Sequence, residues 1–524
     1  MKLAALSLFA LTSNAVLGSD PGLTVRTSTG TYTGLIDPSF PSTRQWRAIP
    51  FAEPPIASRR WLPPQKPSLS PNEHHYSTKF PPSCPQFVTV VESMWSLPLT
   101  KGNLIYNGAQ NDSSGLVGEA TSEDCLYLSI WQPTGPAPEG GFPVLFFMTG
   151  GGWIIGGIDL PWQIPAPWVE RSQSAIVVSI NYRLNIFGFP NARGLAGGQQ
   201  NLGIADQRAA LEWTRDNIAA FGGNPGRIIH WGRSAGSISA DIHAYAYHDD
   251  PIAQAYYLES GTAPFGVGKD LTYSNFSFVA RNVGCANPCG VGCDDEDGSA
   301  ELDCMRQVSF LEISNFIGQY GDRVADERIV FSDYEARSNE GKIARVPALI
   351  SFTANEFSSL VPWPKDNLTE GPWPELVSAL AIASVCGLFN ATMYKNRIAA
   401  KPPVFRFQYA GVFPNLNVYD WLGAYHNSET TMIFGTYHLL DHIASSTSFQ
   451  VEVSQSMQDH IMAFVKDPYN GPQDAFNWLP HDASDPNGGD VIRIGGSKGL
   501  AAQHIQGVEI DGVCRGIGDY DQFP

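Results

Sequence analysis

Three short apolar runs, each ending in glycine or polar residues, limit what this chain can fold into more than any other feature. They are PVLFFMTGGGW from Pro143, AIVVSINYRL from Ala175 and RIIHWGRSAG from Arg227. A strand covered on both faces has no polar side to show, so it reads as continuous apolar sequence; such strands belong in a mostly parallel sheet. Between the second and third runs lies NLGIADQRAALEWTRDNIAAFGG, residues 201–223. There Ile204, Ala205, Ala209, Leu211, Trp213, Ile218 and Phe221 recur at roughly helical spacing, and Gly222-Gly223 stops the helix. Strand, helix, strand is the rhythm of an α/β fold with a large, mostly parallel central sheet flanked by helices. No repeat, heptad pattern or long linker divides the chain. The Pro-rich stretch IPFAEPPIASRRWLPPQKP is too short and too apolar to separate domains. With 524 residues, 43% of them apolar, one domain over residues 19–524 with inserted loops is expected.

The N-terminal MKLAALSLFALTSNAVLGSD has one early lysine, an apolar run and small residues at Ala15 and Gly18. This pattern predicts a secretory signal over residues 1–18, and hence a secreted, extracellular protein. No later run approaches the ~20 apolar residues of a membrane span. The C-terminal GIGDYDQFP offers no hydrophobic anchor signal, so no stable membrane anchor is expected. Eight cysteines, an even number, suit an oxidising compartment. Asn111, Asn275, Asn367 and Asn390 each begin an N-x-[ST] sequon and are expected glycosylation sites. A formal charge of −18 argues against nucleic acid or anionic lipid as partner.

Gly232-Arg233-Ser234-Ala235-Gly236 fits the G-x-S-x-G turn that lifts a nucleophilic serine between strand and helix; so does Gly495-Gly496-Ser497-Lys498-Gly499. Chain order separates them, because the acid and then the histidine must follow the serine. Only His504 follows Ser497, with no room for an acid element, whereas Glu356 and His426 lie behind Ser234. His438 and His442 compete with His426. They lie four apart in YHLLDH, which reads as a helix, yet the glutamate of a zinc-binding H-E-x-x-H is absent. Upstream, TGGGW ends an apolar strand, and glycine-rich backbone there can aim N–H groups at an oxyanion. A dinucleotide fingerprint is missed, since Ile155 stands where its third glycine should fall.

Several stretches together resemble one family, the type-B carboxylesterases, lipases and cholinesterases of the α/β-hydrolase fold, in a form typical of secreted fungal members. AIPFAEPP and SEDCLYLSIWQP look like its two signatures, and NYRLNIFGF, NLGIADQRAALEW and FGGNPGRI lead into the elbow as they do in the family. The resemblance implies a serine esterase or lipase with Ser234 as nucleophile, His426 as base and Glu356 as acid. It implies an oxyanion hole from Gly151, Gly152 and Ala235. Small-molecule or lipid esters are the implied substrates, and no metal or organic cofactor is called for. It pairs Cys84 with Cys125 and Cys386 with Cys514. Of the four cysteines left, Cys285–Cys304 with Cys289–Cys293 is the expected pairing, with Cys293–Cys304 as the alternative. Arg60 and Glu123 look like the family's structural ion pair.

The chain departs from the family at Arg233, where glutamate is usual, and at Thr149, where an aromatic or histidine is usual. Arg233 could pair with a nearby carboxylate, depress the basicity of His426, or bind an anionic group on the substrate. Trp153 is expected to shape the acyl side of the site. The loop from Cys84 to Cys125 holds FVTVVESMWSLPL, apolar for a loop. The resemblance to lipases implies a lid over the site, and the alternative is a loop packed permanently on the core. Two other functions share the sequence features: a catalytically silent binding protein, and an acyltransferase or cyclising enzyme using the same acyl-enzyme.

Overall fold

Phe142–Met148 and Ile176–Ile180 pair in parallel, from Val144 opposite Ile176 to Met148 opposite Ile180. Gly223–Arg233 flanks Phe142–Met148 on the other side, also in parallel. Ala255–Glu259, Ala348–Thr353, Val404–Tyr409 and Asp490–Ile494 continue the parallel series outward. Antiparallel strands close both ends: Ala502–Gln506 beyond Asp490–Ile494, and Tyr127–Pro133, Thr43–Pro50 and Leu35–Ile36 beyond Ile176–Ile180. The result is an eleven-stranded sheet. The computed structural model describes residues 22–68, 70–86, 108–109, 112–113, 121–264, 272–286, 295–317, 324–362, 369–396 and 402–524. The expected signal at 1–18, the sequons at Asn111 and Asn367, Cys289, Cys293 and most of the Cys84–Cys125 loop lie outside the described residues.

Successive side chains on each central strand enter different cores, as the period of a strand requires. Val144, Phe146 and Met148 pack on one face with the helices Leu202–Asn217 and Ala235–Ala246. Leu145 and Phe147 pack on the other with Ala166–Ser172 and Ser448–Lys466. The helix expected over 201–223 is present as Leu202–Asn217, followed by a 3₁₀ turn at Ile218–Phe221 that ends on Gly222 at φ +75°.

One expectation needs correcting. The helix Pro374–Asn396 is long and apolar enough over Pro374–Lys395 to cross a membrane by length and composition alone. Ala381, Val385 and Leu388 of this helix belong to the first core, and the Cys386–Cys514 disulfide ties it to the C-terminal segment. Cys84–Cys125 and Cys285–Cys304 are also joined. Arg60 meets Glu123 through two hydrogen bonds, at 2.6 and 2.7 Å, both side chains buried.

Candidate active site

The parallel strands all point their C-terminal ends to one edge of the sheet, where ligands bind in open α/β folds. Gly223–Arg233 ends there, and the helix Ala235–Ala246 begins one residue later. Ser234 makes the turn at φ 53°, ψ −121°, a strained backbone that holds its side chain clear. The two flanking glycines allow it sterically. A Cβ on Gly232 would fall 2.1 Å from the Gly236 carbonyl oxygen, and one on Gly236 would fall 2.2 Å from that of Met148.

Three side chains from separate segments meet at this point. The Ser234 hydroxyl lies 2.9 Å from His426 Nε2, and His426 Nδ1 lies 2.5 Å from Glu356 Oε2. A proton on Nδ1 donated to Glu356 leaves Nε2 as the acceptor for the serine hydroxyl. Asn355, next to Glu356, pins the histidine loop: its N–H donates to Ala424 O at 3.0 Å and its Oδ1 accepts from Ala424 N–H at 2.8 Å. Glu356 also accepts from the Ser260 hydroxyl at 2.5 Å and the Thr353 N–H at 2.9 Å. Burial alone would raise the pKa of Glu356, but its interaction with His426 and these hydrogen bonds outweigh burial and hold the carboxyl below its usual range.

The glycine run leaves Phe142–Met148 beside the elbow. Gly151 and Gly152 have φ +108° and +63°, dihedrals that side-chain-bearing residues rarely adopt. The run is braced from behind, where Tyr182 OH donates to Thr149 O at 2.8 Å and the Gln163 amide donates to Thr149 Oγ1 at 2.8 Å. Trp153 is buried, donates its indole N–H to Ser239 Oγ at 3.0 Å, and packs toward Phe189.

Arg233 is 2% exposed, and its cross-strand partner in register is Glu259. Glu259 accepts from the Trp231 indole N–H at 2.7 Å and is electrostatically coupled to the buried Glu429, three residues after His426. Glu259 Oε1 and Glu429 Oε2 find no N–H or O–H donor among the described residues, so a proton on one carboxyl supplies what the pair lacks. Burial pushes Glu259 up to about 7 against the pull of Arg233, and pushes Glu429 well above the carboxylate range. Burial lowers Arg233, while Glu259 and then Glu429 draw it back up. Among the described residues Arg233 makes no direct ion pair and its Nε has no hydrogen-bond partner, so Glu259 and Glu429 act on the cation through space and not by direct pairing. Binding of a substrate anion is disfavoured, since Arg233 is not among the pocket residues. Glu259, Ser260 and Glu429 were not singled out from the sequence; the one local sign was a glutamate closing the apolar run AYYLE.

A pocket of about 100 Å³ opens beside Ser234 and His426. Its walls include Ile238 of the elbow helix, Phe357 and Leu360 after the acid, and Ser384, Gly387 and Leu388 of the helix Pro374–Asn396. The other expected candidates stand apart. Ser497 is exposed in a turn beyond Asp490–Ile494, and His504 pairs with Asp490 at 3.0 Å. His438 and His442 are exposed around a short 3₁₀ turn, Tyr437–Leu440, where an α-helix was expected. Among the described residues no group of three or more His, Cys, Asp or Glu is placed to hold a metal ion. Asn275 and Asn390 are exposed.

The sheet order and the elbow at its C-terminal edge define an α/β-hydrolase. A PNB esterase structure aligns with a TM-score of 0.72 at 21% identity, over 93% of this chain and 97% of that one, a likeness of fold. The model of the carboxylesterase family matches residues 21–371, and the chain belongs to that family. A chlorogenic acid esterase of Aspergillus niger is 35% identical over 461 residues, spanning 86% of this chain and 84% of that protein. Secreted lipase 5 of Gibberella zeae is 34% identical, spanning 94% of each. An acetylcholinesterase of Electrophorus electricus is 32% identical over 66% of this chain and 53% of its own length. The protein is a carboxylic ester hydrolase.

Proposed function

We propose that this ester hydrolase is exported and works through an acyl-enzyme on Ser234. The observation that carries the reading is the unbroken line from Ser234 Oγ through His426 to Glu356, at 2.9 and 2.5 Å. His426 takes the serine proton at Nε2 as Oγ attacks the ester carbonyl, and returns it to the departing alkoxide. Glu356 fixes the imidazole tautomer and offsets the charge of the imidazolium. The N–H groups of Gly151, Gly152 and Ala235 receive the oxyanion, a contribution worth several kcal/mol in a site shielded from water. Water activated by the same histidine then releases the acid. The three disulfides among the described residues and the relation to a secreted lipase support export. The apolar pocket, with relatives named for chlorogenic acid and for lipids, supports an apolar or aromatic acyl group.

A fluorophosphonate tests this directly. One adduct is expected, on the peptide containing Ser234, with p-nitrophenyl butyrate turnover lost in step with labelling. Turnover that persists after full labelling, or an adduct at Ser497, would overturn the assignment. A smaller effect is expected at Ser260→Ala. Glu356 loses one of its charge-assisted hydrogen bonds but keeps Thr353 N–H and His426, so kcat should fall about tenfold with KM nearly unchanged. Steady-state kinetics on one ester checks it.

A further inference from the structure

We infer that Gly387 sets the depth of the acyl-binding pocket, and thereby the longest acyl group the enzyme turns over; this rests on the acyl-enzyme reading above. Gly387 lies inside the helix Pro374–Asn396 and lines the pocket beside Ser234. Ser384, Gly387 and Leu388 stand at i, i+3 and i+4, so one face of this helix forms the wall. Glycine is the poorest helix former after proline, and an interior glycine calls for a reason. The two usual reasons are missing. Gly387 is not among the positive-φ residues, and a Cβ built on it meets no described atom within 4 Å. The elbow glycines differ, since a Cβ there would collide with backbone.

Among the described residues outside its own turn of helix, what the glycine leaves is open space. The helix cannot readily shift to fill that space, because Val385 and Leu388 are in the core and Cys386 is bonded to Cys514. The acyl group stays bonded to Ser234 Oγ through both half-reactions, whereas the alcohol must leave before water attacks. A pocket walled by Ile238, Phe357 and Leu388 therefore suits the acyl part.

The test compares Gly387→Ala and Gly387→Leu with the parent on p-nitrophenyl esters from acetate to dodecanoate, and on butyrate esters of lengthening alcohols. For Gly387→Leu, kcat/KM on octanoate and longer esters should fall by at least about tenfold, with acetate and butyrate within about twofold. Gly387→Ala should show a smaller loss in the same direction, and neither variant should melt earlier than the parent. Gly387→Ala adds one carbon to open space, so it carries the test if the leucine variant does not fold. An unmoved acyl profile, an equal fall at every acyl length, or a loss confined to the alcohol series would overturn the inference. Fluorophosphonate labelling is run alongside. Turnover without a Ser234 adduct means the acyl-enzyme reading itself has failed; an adduct with an unmoved profile removes only the role of Gly387.

Discussion

Ser234→Ala is expected to lower kcat on p-nitrophenyl butyrate by about 10⁴- to 10⁶-fold, and His426→Ala by a similar factor. These losses correspond to roughly 5–8 kcal/mol of barrier. On the proposed mechanism the serine variant loses the attacking oxygen and the histidine variant loses the acceptor 2.9 Å from it. Because the two act as one unit, the double variant should be scarcely worse than either single one. Glu356→Gln keeps the shape but offers an amide where the imidazole needs a carboxylate. It reverses the preferred tautomer, and a fall of about 10⁴-fold is expected. Residual turnover above the uncatalysed rate would come from the oxyanion donors and substrate binding. Circular dichroism and melting temperature must match the parent, since Ser234 occupies a strained turn. If Ser234→Ala retains more than a tenth of the parent rate, the hydroxyl at position 234 is not the nucleophile.

The parallel half of the sheet was legible because strands buried on both faces leave no alternation to misread; FPVLFFM at 142–148 is buried at every position. The antiparallel strand Ala502–Gln506, AQHIQ, is mostly polar and carries no such sign. The elbow was legible because Gly232 and Gly236 are required by local backbone contacts that sequence spacing records. Choosing His426 over His438 and His442 depended on the family resemblance. The meeting of residues 192 positions apart is a property of the closed sheet that local pattern does not encode. Glu259 and Glu429 were illegible for the same reason, lying on separate segments and meaning something only once brought together around Arg233. The helix Pro374–Asn396 was passed over in the sequence because its apolar residues fall on every side. Part of that apolar surface faces the core and part the pocket.

Arg233→Met is expected to destabilise the protein by about 1–3 kcal/mol near pH 8, because it removes the buried cation whose charge offsets Glu259 and Glu429 through space. Glu259 and Glu429 are buried together and both raised by burial, so a proton held by one of them leaves a single negative charge for Arg233 to offset. Without the cation, the pair must take up a second proton or leave that charge unbalanced. Both carboxyls are raised by burial, Glu259 to about 7 from an unfolded value of 4.5. A raised carboxyl contributes stability that is fully present below its unfolded value and is lost as pH rises through its folded value. The parent should therefore melt progressively earlier as pH rises from about 4.5 through about 7 and beyond. Arg233→Met should melt earlier still over the alkaline part of that range. Glu429→Gln removes one titrating group, so its melting temperature should change less with pH. The double variant Arg233→Met, Glu259→Gln removes both charges and should recover most of the loss. Thermal melts at one scan rate across pH read all four proteins. Activity separates this account from a direct action of the arginine on His426. If Arg233 acts only within its buried block, the acid limb of kcat/KM stays in place in the double variant. A limb displaced there, or an Arg233→Met protein as stable as the parent at pH 8, would show that the guanidinium is coupled to the imidazole or does not act on these carboxylates at all.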